Sequence, residues 1–217
     1  MHSVKNYRRT MTILKAGAAV ALLVVTVPMG AARAGSPSTV TYGFDPAHTS
    51  INFAVQHLVI NTIRGRFKEF TGSIALDEKD VANSSVEFTA KSASISTDVE
   101  PRDNDLRSPN FLDAAKFPEL TFKSSKVEKH GKGFICHGTF TLHGVSKEIA
   151  IPFTLSGPIT DPWGNHRIGV TASISINRQD YGVAYDKKLP DGGLAVGNEV
   201  QIDLNIEAVH KIEKPAN

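Results

Sequence analysis

The chain has 217 residues, 41% of them apolar and 21% charged, and 24 basic against 22 acidic side chains give a net charge of +2. This composition suits one globular domain or at most two, and it excludes a chain dominated by disorder or by a basic nucleic-acid-binding surface. The lone cysteine, Cys136, excludes an internal disulfide and a multi-cysteine zinc site.

At the N-terminus, Lys5, Arg8, Arg9 and Lys15 precede an apolar run from Ala16 to Val27, followed by Ala32-Arg33-Ala34. These are the charged, apolar and small-residue regions of a secretory signal peptide. We expect residues 1–34 to be cleaved and 35–217 to form a single domain. The run is shorter than the roughly 20 residues a membrane span needs, so no stable membrane anchor is expected. The competing reading, an uncleaved amphipathic anchor, lacks a polar face. Arg8-Arg9 also matches the pair in twin-arginine signals. Removing the leader leaves 19 basic against 22 acidic residues, net −3.

A short segment, Thr39 to Phe44, precedes a clear strand in which Ile51, Phe53 and Val55 alternate with Asn52, Ala54 and Gln56. Between Arg66 and Asp77 the phase slips, because Phe67 is out of step with Phe70, Ile74 and Leu76. A bulge near Lys68-Glu69 would repair it. Alternation returns at Val86, Phe88 and Ala90, at Leu120 and Phe122, and at Phe134, Cys136, Gly138, Phe140 and Leu142. It recurs at Ile149 to Leu155, Ile168 to Ile176 and Val200 to Ile206. About eight strands with one apolar face each predict an all-β fold of antiparallel strands. Short turns at His130-Gly131-Lys132-Gly133 and His143-Gly144 favour an up-and-down order. Closure into a barrel removes the sheet edges, and a two-sheet sandwich is the competing geometry.

Two connections are too long to be turns. In the first, Ser108 as N-cap, Pro109 at the first helical position and Pro118 beyond the end predict a short helix over Asn110 to Lys116. The second, Asn177 to Asn198, contains the turn signal Pro190-Asp191-Gly192-Gly193.

The chain carries no nucleophile elbow, phosphate loop, HExxH or paired-glycine fingerprint. The inward phase offers aliphatic and aromatic carbon and almost nothing that titrates, which suits an apolar ligand better than acid–base or nucleophilic catalysis. We therefore assign no catalytic residue, metal or cofactor. Candidate ligand-binding residues in the interior are Phe53, Val55, Phe88, Phe122, Phe140, Phe153, Ile174 and Ile176. At the mouth or lid they are Arg102, Asp103, Leu106, Arg107 and Phe111, where Arg102 or Arg107 would greet a polar head group with a guanidinium fork. The bland reading has the charges of this loop, Asp98 to Lys116, tying it to the barrel rim. A metal site assembled by folding from His48, His57, His137 and His143 is a minor alternative, and Cys136 reads as a small core hydrophobe.

Several stretches resemble the YceI-like family of bacterial exported polyisoprenoid- or lipid-binding proteins. They are Phe44-Asp45-Pro46-Ala47-His48-Thr49-Ser50-Ile51-Asn52-Phe53, Val55-Gln56-His57-Leu58, Gly65-Arg66-Phe67, Phe70-Thr71-Gly72, Arg102-Asp103-Asn104-Asp105-Leu106-Arg107-Ser108, Phe111-Leu112-Asp113, Lys116-Phe117-Pro118, Gly138 to Val145 and Arg178-Gln179-Asp180-Tyr181-Gly182. The resemblance runs from about Tyr42 to Ala208. It implies an eight-stranded, lipocalin-like barrel around a long apolar pocket, a periplasmic or secreted setting and no catalytic activity. Two positions depart from it: Asp105 stands where the family often has histidine, and Asn110 where it often has aspartate. The leading expectation is an exported carrier or sequestering protein for a long-chain isoprenoid lipid of quinone or polyprenyl type. An enzyme acting on an apolar substrate at the barrel mouth and a ligand-free interaction module are the alternatives. The outward faces leave room for a homodimer, and no nucleic-acid partner is expected.

Overall fold

The computed structural model describes residues 39–212; the expected leader lies outside them. Eleven strand segments follow one another as β1 (Thr39–Phe44), β2 (Ser50–His57), β3 (Asn61–Phe67), β4 (Phe70–Asp77), β5 (Ser85–Lys91), β6 (Ile95–Ser96), β7 (Glu119–His130), β8 (Gly133–Leu142), β9 (Val145–Thr160), β10 (His166–Asn177) and β11 (Val196–His210). The six short segments join end to end in pairs, β1 with β2, β3 with β4 and β5 with β6. The result is eight antiparallel staves in up-and-down order, closed where β11 pairs with both β2 and β1. The barrel is the geometry realised, and among the described strands only the two-residue β6 pairs on one side alone.

The three broken staves have a common cause in parity. The inward residues flanking each break are Phe44 and Ile51, Phe67 and Phe70, and Ala90 and Ile95. Each pair is an odd number of residues apart, so an uninterrupted strand would point one member outward. The break resets the phase. The expected irregularity at Lys68-Glu69 is one of the three, and there Lys68 N–H donates to the Ser94 carbonyl and Lys91 N–H to the Glu69 carbonyl, which keeps the wall joined.

Hairpins hold β7 to β8 through Gly131-Lys132 and β8 to β9 through His143-Gly144, where both residues have positive φ (51° and 74°) as a tight primed turn requires. The one α-helix among the described residues, α1, spans Glu100–Arg107 and not Asn110–Lys116. Pro101 in its first turn needs no donor, Glu100 and Asp103 begin it and Arg107 ends it, in keeping with the helix dipole. Ser108, expected to start a helix, caps the end of this one, and its hydroxyl donates to the Asp105 carbonyl at 2.7 Å. Residues 109–116 are turns: the Leu112 N–H reaches back to the Leu106 carbonyl and the Phe111 and Asp113 N–H groups to the Ser108 carbonyl, and Asp113 has a φ of 44°, which no helix continues through.

Two clusters make up the interior. Tyr42, Ile74, Leu76, Ile168 and Ala208 fill one end of the barrel. The larger cluster runs to the other end, where the 97–118 and 178–195 segments fold over the opening and meet in a stacked Phe111–Tyr185 pair, 4.7 Å between centroids.

Candidate functional site

The barrel encloses a cavity of about 240 Å³ walled almost wholly by carbon. All eight interior candidates, Phe53, Val55, Phe88, Phe122, Phe140, Phe153, Ile174 and Ile176, line it, and Leu106 and Phe111 close over it from the lid together with Leu112 and Val183. Its width depends on glycines. A Cβ on Gly65 would lie 2.4 Å from Phe53 Cζ, and one on Gly72 would lie 2.5 Å from Phe44 Cε2. Both rings therefore lie flat against the wall, leaving the centre open.

The charged lid candidates do not reach this space. Asp103 is buried; it accepts the Thr97 N–H at 2.8 Å and the Thr97 hydroxyl, while Arg102 Nε donates to Thr97 Oγ1 at 2.7 Å. Burial pushes the Asp103 carboxyl up, but the Thr97 hydrogen bonds outweigh it and leave the group below the ordinary carboxylate range. Arg107 donates to the carbonyls of Ala93 (2.9 Å) and Ile95 (3.1 Å), to Asn104 Oδ1 (3.0 Å) and to Glu100 Oε1 (3.1 Å). It fastens α1 to the break between β5 and β6. The two residues that depart from the family pattern face one another, Asn110 Nδ2 donating to Asp105 Oδ1 at 2.8 Å on the exposed side of the lid.

Sequence reasoning missed two arginines. Arg178, only 4% exposed, borders the cavity and donates to the carbonyls of Gly197 (2.9 Å), Val183 (2.6 Å), Tyr185 (2.5 Å) and Val196 (3.2 Å) and to Asn198 Oδ1 (3.0 Å). Desolvation lowers its pKa and the nearby Asp186 opposes that shift. The chain from 183 to 198 is thus wound around one cation, with backbone oxygens in place of a carboxylate. Arg167 joins Asp45 (2.8 Å), Asp161 (2.8 Å) and Glu207 (2.5 Å) at the opposite end. Asp45 and Glu207 also lie near His48 in a metal-like triad, yet the Arg167 guanidinium already bridges their carboxylates. Of the four histidines weighed as a metal site, His48 bonds Asp45, His137 bonds Glu128, His143 bonds the Tyr181 carbonyl and His57 ends β2 opposite Val196; they do not converge.

Cys136 sits on the cavity wall, and burial pushes its thiol up to about 11, which keeps it protonated and a poor nucleophile. The arrangement can enclose an apolar chain, and its wall offers no convergent acid, base and nucleophile among the described residues. No helix among those residues is long and apolar enough to cross a membrane.

Comparison with known proteins agrees with this architecture. A UPF0312 protein of Vibrio parahaemolyticus is 35% identical over 192 residues, covering 87% of this chain and 94% of that protein. The Campylobacter jejuni YCEI protein superposes with a TM-score of 0.63 at 28% identity, covering 72% of this chain and 90% of that one. A polyisoprenoid-binding domain from Saccharophagus degradans, implicated in plant cell wall breakdown, shares the fold with a TM-score of 0.57 at 16% identity, covering 79% of this chain and 99% of that one. Residues 42–208 match the YceI-like domain, and the chain belongs to that family.

Proposed function

We propose that the protein is an exported carrier or sequestering protein that holds a long-chain isoprenoid lipid, of quinone or polyprenyl type, inside the barrel, and that it is not an enzyme. One observation carries this reading: the cavity inside the barrel is bordered by residues of both core clusters and lined almost wholly by hydrocarbon. Each methylene moved from water into such a wall contributes about 0.8 kcal/mol, so a long chain binds without an ion pair. The family's likeness in fold to a polyisoprenoid-binding domain supports the same reading. In it, Phe53, Val55, Phe88, Phe122, Phe140, Phe153, Ile174 and Ile176 touch the chain, Leu106 and Phe111 close over it, and Arg102, Asp103 and Arg107 hold the lid in shape. Residues 1–34 direct export to the periplasm or medium and 35–217 form the working domain.

The test is native mass spectrometry of protein purified without detergent, followed by organic extraction. The expected result is a stoichiometric adduct with isoprene spacing that Ile174→Asp loses while remaining folded. A bare polypeptide mass that persists after incubation with quinones and polyprenyl phosphates would overturn the proposal in favour of a ligand-free interaction module. Turnover of the bound lipid would overturn it in favour of an enzyme.

A further inference from the structure

Toward the lid end, two seams of the wall lose their ladder. β5 pairs with β7 as far as Lys91–Glu119, and β6 beyond it pairs with β3 alone. Hydrogen bonds to the lid seal that gap: the Ser92 hydroxyl donates to the Phe117 carbonyl (2.6 Å), Arg107 donates to the Ala93 and Ile95 carbonyls, and Asp103 accepts the Thr97 N–H. Between β9 and β10 the ladder runs from His166–Thr160 to Ala172–Phe153 and stops, although β9 begins at Val145 and β10 continues to Asn177. Beyond the last pair the next residue of β9 is Pro152, which has no N–H to offer. On its other side β10 keeps a full ladder with β11, out to Asn177–Glu199.

The side chains flanking this second seam bond away from it. Ser146 and Glu148 bond Thr141 and Thr139 on β8, and Ser173 bonds Asp203 (2.5 Å) and Gln201 (2.6 Å) on β11. Carried past its last pair, the register sets Ile174 opposite Ile151 and Ile176 opposite Ile149 on the inner face, and all four line the cavity. On the outer face it sets Ser175 opposite Ala150, both exposed and too short to bridge the strands. At the rim the seam is clasped by His143, whose Nδ1 lies 3.3 Å from the Tyr181 carbonyl, and by the exposed Lys147–Asp180 pair at 3.6 Å. An exposed ion pair of this kind contributes little. The lid is held more firmly, with the 183–198 chain wound around Arg178 and Phe111 stacked on Tyr185. A stretch of wall closed by packing and a weak clasp opens at lower cost than one that must also break a ladder or unwrap a buried cation.

We propose that the apolar chain enters and leaves the barrel sideways, through the β9–β10 seam between Ile149 and Ile151 on one side and Ile174 and Ile176 on the other, an inference that rests on the carrier reading. The test closes the seam with Ala150→Cys and Ser175→Cys, joined as a disulfide or, where the thiols stand beyond disulfide reach, by a short bismaleimide. A second variant, Phe111→Cys with Tyr185→Cys, ties the lid shut in the same way. Uptake of decylubiquinone is timed by native mass spectrometry on the unlocked and locked forms, and release is timed on protein loaded before locking. The seam lock is expected to slow uptake and release about tenfold or more, with the loaded amount unchanged and with reductant reversing the disulfide's effect, while the lid lock leaves both rates within about twofold. Seam-locked protein that takes up the quinone at the unlocked rate would overturn the proposal. So would a lid lock that alone slows uptake, because the chain would then pass through the end of the barrel. The two readings fail differently: unlocked protein that neither carries a lipid nor takes up the quinone refutes the carrier and the seam route with it, whereas uptake indifferent to the seam lock refutes the route alone.

Discussion

Gly65→Ala tests whether a flat phenylalanine sets the width of the cavity. Gly65 pairs with Phe53 across β2 and β3. A methyl at Gly65 would meet Phe53 Cζ at 2.4 Å, Phe53 Cε1 at 2.6 Å and the Ser96 carbonyl oxygen at 2.8 Å. The ring must therefore swing off the wall into the cavity, and the β3–β6 ladder must yield by a few tenths of an ångström. Overpacking of this kind destabilises by about 1–3 kcal/mol. At a urea slope of about 2 kcal/mol/M, a loss in the middle of that range moves the midpoint down by about 1 M. Phe53→Leu removes the clash with the ring and leaves only the one with Ser96, so the double variant should be more stable than the two single losses predict, by about 1 kcal/mol. The displaced ring should also shorten the longest chain the barrel retains, read by mass analysis of extracted lipid. Strict additivity in urea, with unchanged cargo length, would refute the reasoning.

Arg178→Met leaves four carbonyls and the Asn198 side chain without their buried donor; the loss should be about 3 kcal/mol, lowering Tm by roughly 6–12 °C in a thermal scan. Asp45 is held at about 2, chiefly by Arg167 and then by His48, below its unfolded value of about 3.9. Its contribution is therefore complete above the unfolded value and lost as pH falls toward 2, and Asp45→Asn should flatten the urea midpoint across that window. His48, raised by its hydrogen bond to Asp45, works in the opposite sense: its contribution is complete below about 6.5 and disappears as pH rises through the higher folded value. Cys136, buried and pushed up to about 11, should resist aromatic disulfide reagents in native protein at pH 8 and react promptly in urea; fast labelling without denaturant would contradict its placement on the wall.

The staves were legible because a half-buried strand writes period-two alternation directly into its residues, from Ile51-Phe53-Val55 to Val200-Ile202-Leu204-Ile206. The break at Lys68-Glu69 could be read because large apolar residues on both sides fall out of phase. Ser92-Ala93-Ser94 offers no such residues, and its break became visible only in the fold. The helix was misplaced because Ser108-Pro109 carries a stronger start signal than Val99-Glu100-Pro101. What decides the matter is anchoring at a distance: Asp103 on Thr97, and Arg107 on the Ala93 and Ile95 carbonyls. Arg178 was legible only as part of a family motif, since carbonyl acceptors leave no mark on a sequence. The Arg167 partners Asp45 and Glu207 are 122 and 40 residues away, beyond any local pattern.

Ring closure imposes a schedule. β7 to β11 are successive hairpin partners, so each can pair as soon as its neighbour exists. The pairs Gly43–Val209 and Phe44–Ala208 that join β1 to β11 link residues 166 and 164 apart, and at about 5–20 residues per second the later partner is made roughly 8–30 s after the earlier. Throughout that interval the future inner wall is open to water and to other chains. A chaperone that shields the one unpaired edge of the first stave until the last strand is made would matter more here than in a fold with no closing contact between its two ends.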